Sequence, residues 1–227
     1  MIAWAGSALA QITLPYDATP VQNVAQLSAS GTVEVQQDLL SMAMNTTLSG
    51  ADANAVQAQL KQALDTALAQ AKQSAVPGQM DVRTGNFSLY PRYAKEGTIS
   101  GWQGTAELVL EGRDFPRIAT AAGKIQTLTL GNVSFALSRE QRARVEGEAQ
   151  ALAIAQFKAK AGEVAKNFGF TGYTLREVSI NANDQGGSPR LRMMTLQAKG
   201  DMAEAAVPVE AGKSAVVVTV SGSVQLK

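Results

Sequence analysis

The chain is 227 residues long, room for one large domain or two small ones, and its 45% apolar and 17% charged residues make a globular composition. Lys and Arg number 20 against 19 for Asp and Glu, so the net charge is +1 and gives no sign of a nucleic-acid binder's basic excess. There is neither His nor Cys, which removes thiol nucleophiles, Ser-His-Asp triads, disulfides and the usual zinc, haem and iron–sulfur ligands.

In chain order, the first feature is the apolar run that closes on Ala8-Leu9-Ala10, the small-residue pattern of a signal-peptidase site. Residues 1–10 read as the tail of a secretory signal, with cleavage after Ala10 and a periplasmic destination; a short N-terminal strand or helix is the competing reading. Residues 11–23, with Pro15 and Pro20 and no periodicity, read as an extended arm.

Strand-like alternation follows over 24–37 and 39–50, where Met42, Met44 and Thr46 share one face. Asp52 is placed to cap a helix whose apolar stripe is Val56, Leu60, Ala63, Leu64, Ala67 and Ala71, and Pro77-Gly78 ends it. Two strands, 80–93 and 99–112, are joined by a turn over 94–97. Asp114 caps a short helix over 115–123 that tolerates Pro116 in its first turn. A strand over 125–138 leads to Ser138 and Gln141, a capping box for the longest helix, about 139 to 168. That helix sets Glu140, Arg144 and Glu148, and also Arg142 and Glu146, at i,i+4 spacing. Its apolar stripe is Ile154, Phe157, Ala161, Val164 and Phe168, with Gly169 as the stop. A strand over 173–183, a weakly patterned stretch over 184–212 and a β-branched strand over 214–226 complete the chain.

The order strand–helix–strand–strand–helix–strand over 39–138 is that of a ferredoxin-like split βαβ unit. With the long helix and the late antiparallel strands, the fold class is α+β. Residues 24–227 would form one α+β region, divisible into about 39–138 and 139–227 with 24–37.

Several segments carry a family resemblance: "GTVEVQQDLLSM", "TGNFSLYPRY", the run beginning "GNVSFALSREQ", and the closing "VPVEAGKSAVVVTVSGSVQL". The chain resembles the SIMPL-domain family, which includes bacterial periplasmic immunogenic proteins and oxidative-stress defence proteins. Its marks are Asn86, Phe87, Ser88, Leu89, Pro91 and Tyr93, and then Gly131-Asn132-Val133-Ser134-Phe135, where Gly and Asn are exchanged relative to the commoner order. Gln36-Gln37-Asp38 also departs, standing where prolines before the Asp are usual. The resemblance implies an exported α+β protein able to form homo-oligomers, and no established reaction.

Candidate chemistry is sparse. The sequons at Asn45, Asn86 and Asn132 all fall inside predicted strands, where a glycan would block packing. Glu107 and Glu111 share a face of one strand but stand about 13 Å apart, too far to act as an acid–base pair, and read as solvated edge residues. Gly186-Gly187 lacks the Lys-Ser/Thr and helix start of a phosphate loop. Met193, Met194 and Met202 could in principle bind Cu(I) or absorb oxidant, though flexible Met packing explains them as simply.

The expectation is therefore a non-enzymatic, exported protein with no cofactor. Its partners would be copies of itself and an envelope or outer-membrane component, without nucleic acid or a transmembrane span. A stress-protective protein using the three methionines is the alternative.

Overall fold

The computed structural model describes residues 22–183 and 210–227. Its α+β fold has two antiparallel sheets, and one of them is the ferredoxin-like unit. That sheet is ordered β3-β4-β2-β5, from β2 (Leu39–Gly50), β3 (Asp81–Tyr93), β4 (Ile99–Gly112) and β5 (Thr129–Ala136). The first helix, α1 (Ala53–Lys72), joins β2 to β3, and α2 (Phe115–Lys124) joins β4 to β5. Every strand pair is antiparallel, so each helix links two strands separated by one neighbour, which is what the split arrangement requires.

Strand alternation puts Leu40, Met42 and Met44 of β2 and Ala106, Leu108 and Leu110 of β4 on the helix side. There they meet Val56, Leu60, Leu64, Ala67 and Ala71 of α1 and Ile118 and Ala119 of α2 in one apolar core. Asp52 caps α1 by accepting from the Ala55 N–H at 2.7 Å. Asp114 caps α2 through the Arg117 N–H, and that bond, with the Arg117 guanidinium, holds its carboxyl below the usual range.

The second sheet is ordered β1-β7-β6, from β1 (Val24–Gln36), β6 (Tyr173–Asn183) and β7 (Lys213–Leu226). The 29-residue helix α3 (Arg139–Asn167) lies across β1 and β7. Its buried residues repeat every four positions, Val145, Ala149, Ala153, Phe157, Ala161 and Ala165, and four of the six are Ala, so helix and sheet approach closely. Val218, Val220, Val224 and Leu226 of β7 supply the opposing surface.

The structure corrects four expectations. The strand expected over 125–138 pairs only over Thr129–Ala136, because Ile125 and Leu128 drop into the core under α1 and α2 instead of joining the ladder. Phe168 is 72% exposed, since it is the C-cap, past the last helical turn, and Phe170 takes the place against the core. Between them Gly169 has φ +79, and the Phe170 N–H returns to the Ala165 carbonyl, closing the helix end. Glu107 and Glu111 are half-buried on β4, an interior strand, with β3 on one side and β2 on the other. Finally, Glu140 does not turn to Arg144 as spaced: it pairs with Arg113, and Arg144 donates to Gln141.

The two sheets meet at the β1–β2 and β5–α3 links. Ser138 accepts from the Gln141 N–H, as the capping box requires, but the reciprocal bond comes from elsewhere. Asp38 accepts both the Ser138 N–H at 2.7 Å and the Ser138 hydroxyl at 2.6 Å. Arg113 stands 3.7 Å from the same carboxylate. Asp38→Ala should therefore remove a cap bond and a sheet-to-helix tie together, at a cost of about 1–3 kcal/mol in denaturant unfolding. Asp38→Asn, which keeps one acceptor, should lose less.

Candidate functional site

Three surfaces are candidates. The first is the junction itself, where Gln37, only 4% exposed, donates to the Phe135 carbonyl and to the Ser214 hydroxyl at 3.0 Å. Around it Asp38, Arg113, Ser138 and Glu140 are committed to one another. The Ser138 hydroxyl donates to the Asp38 carboxylate and accepts the Gln141 N–H, so both bonds hold it in the helix cap. This cluster fastens two sheets.

The second is a shallow recess of about 520 Å³ on the face of the second sheet away from α3, lined by Gln26, Ser28, Glu177, Ser179, Ser221 and Ser223. It offers hydroxyls, the Gln26 amide and one carboxylate, Glu177. Among the described residues, no group of three or more Asp or Glu is arranged to hold a metal ion.

The third is apolar. In β6, Leu175 lies opposite Val224, Val178 opposite Gly222 and Ile180 opposite Val220, so all three point to the side on which α3 packs. But α3 covers β1 and β7, and the three side chains are left 51, 43 and 44% exposed. The far edge of β6 pairs with no strand among the described residues. In the β3–β4 hairpin, Tyr93 and Ile99 are exposed beside the turn, while Tyr90 and Phe87 are exposed further along β3 on opposite faces of the sheet. Exposed apolar side chains lined up on one face, as Leu175, Val178 and Ile180 are on β6, mark a candidate interaction surface.

A model of the SIMPL family, described as "Protein of unknown function (DUF541)", matches residues 25–224. The chain belongs to the SIMPL family. No curated protein matches it.

The two SIMPL marks read from the sequence both fall on outer strands of the four-stranded sheet. Asn86 to Tyr93 lies in β3, with Asn86 inside the register shift between Thr84 and Phe87, and Gly131 to Phe135 lies in β5. Phe135 packs on Phe115 of α2 with ring centroids 5.6 Å apart, whereas Phe87 and Tyr93 are exposed. Part of that signature thus holds the core and part presents surface. In this SIMPL chain Met193, Met194 and Met202, with Gly186-Gly187, lie outside the described residues, as do residues 1–21. Among the described residues no helix is long and apolar enough to cross a membrane. The uncovered β6 face was missed in the sequence, although its signal is there: apolar alternation through Tyr173 and Leu175 skips a step before resuming at Val178 and Ile180.

Proposed function

We propose that this SIMPL protein is an exported, periplasmic protein that acts without catalysis, by assembling with copies of itself at the cell envelope. The observation that carries the reading is the apolar face of β6, Leu175, Val178 and Ile180, which no described element covers. The lack of His and Cys supports a binding role over an enzymatic one. The Ala8-Leu9-Ala10 pattern supports export.

Size-exclusion chromatography with light scattering tests assembly. The expected species is a stable multiple of the 23.8 kDa chain, and a monomer at every concentration would overturn the reading. N-terminal sequencing of protein recovered from the periplasm tests export. A first residue of Gln11 is expected, and a recovered chain still carrying Trp4 would refute the cleavage.

A further inference from the structure

The reading above names no contact, and β6 supplies one. We infer that β6 pairs antiparallel with β6 of a second copy about a two-fold axis between Arg176 and Glu177, joining two three-stranded sheets into one of six strands. The inference rests on the self-assembly reading and specifies its surface.

The register follows from a bulge. The ladder between β6 and β7 shifts between Leu175 and Glu177, which leaves Arg176 as an extra residue. Tyr173, Leu175, Val178 and Ile180 therefore lie on the α3 side, three apart across the bulge and two apart elsewhere. Glu177, opposite Ser223, lies on the other face, and Arg176 joins it there, donating to Gln225 at 3.2 Å. A second copy of this strand must match faces along its whole length. Sliding the pairing by two residues in either direction sets Val178 opposite Glu177 or Leu175 opposite Arg176, apolar against charged. Only when the two bulges share the axis do all faces agree.

In that register Leu175 meets the partner's Val178, and Tyr173 meets the partner's Ile180, so the exposed apolar side chains cover one another as cross-strand neighbours. On the opposite face Arg176 meets the partner's Glu177, and the two-fold repeats the pair, giving two opposite-charge contacts flanking the axis. One strand is thus complementary to itself in shape, polarity and charge. The pairing also satisfies the edge of β6 that no described strand covers, and an open edge invites nonspecific addition.

The chain has no cysteine, so disulfide mapping starts from a clean background. Leu175→Cys and Val178→Cys, prepared separately and mixed under mild oxidation, should give a cross-linked heterodimer. Neither variant alone should cross-link efficiently, because each thiol would face an unmodified residue. Arg176→Glu should raise the dissociation constant of the β6 contact about tenfold, since it replaces two attractive pairs by two repulsive ones. The double reversal Arg176→Glu with Glu177→Arg should restore it. All these positions are exposed, so an unchanged circular-dichroism melt will confirm that each variant folds. Assembly that persists without the mixed cross-link and ignores the charge reversals would assign the edge to another occupant and refute this contact while leaving self-assembly standing. A strictly monomeric protein would remove both.

Discussion

Phe157→Ala should lower the unfolding free energy by about 3–5 kcal/mol, the range for deleting a fully enclosed aromatic ring. Phe157 is 2% exposed and sits midway along α3, the one large side chain in a buried row that is otherwise four alanines and Val145. The alanines let the helix settle onto β1 and β7, and the single ring fills the space that closeness leaves against Val218, Val220 and Val224. One turn to either side the buried row offers only Ala153 and Ala161, and Ile154 and Val164 stand at its margin, so the space left by the ring should fill only in part. The ring faces its own sheet, so the substitution should act on monomer folding first. Urea unfolding at a concentration too low for assembly measures this. Leu152→Ala, on the same helix but 46% exposed, is the control and should cost much less, about 0.5 kcal/mol by the usual behaviour of surface positions.

The four-stranded unit was legible because its signals are local. Alternation over 39–50 and 99–112 and the caps Asp52 and Asp114 each act within a few residues, and these elements formed where their patterns lay, though α1 ends at Lys72, ahead of Pro77-Gly78. Where sequence reading failed, the deciding partner was distant in the chain. Nothing near Ser138 announces that Asp38, a hundred residues earlier, completes its cap. The Ile154–Phe168 stripe drifted because helical spacing alone does not say which side of a near-uniform row of alanines meets the sheet. The row that packs is Ala149, Ala153, Phe157, Ala161, with Ile154 and Val164 at its margin. The apolar face of β6 stayed hidden for a related reason: its composition is that of any covered strand, and only the position of α3 over the two neighbouring strands leaves it bare.

The close approach of helix and sheet has a further consequence at Gly31. This residue lies in β1 opposite Val218, directly beneath α3. A Cβ there would lie 2.1 Å from the Ala149 carbonyl oxygen, 2.6 Å from the Ala153 nitrogen and 2.9 Å from the Leu152 Cβ. The first two are helix backbone, which cannot rotate aside as a side-chain end can, so the whole helix must lift. It is held near this point by Lys160, which donates to the Ser28 carbonyl at 3.0 Å, and at its start by the Ser138–Asp38 bonds. Lifting it opens the Phe157 contact as well. Gly31→Ala should therefore cost about 3 kcal/mol or more, beyond ordinary overpacking, and Gly31→Val should cost more still. The comparison that isolates the clash uses two other glycines, Gly147 and Gly162 in α3 itself, where an added Cβ meets nothing within 4 Å. Changing either to Ala should stabilise the protein by about 0.5–1 kcal/mol, because a helix interior favours Ala over Gly. Equilibrium urea unfolding of the three variants should move the midpoint down for Gly31 and up for Gly147 and Gly162. A Gly31→Ala protein as stable as the parent would mean that α3 does not rest on β1 at this distance.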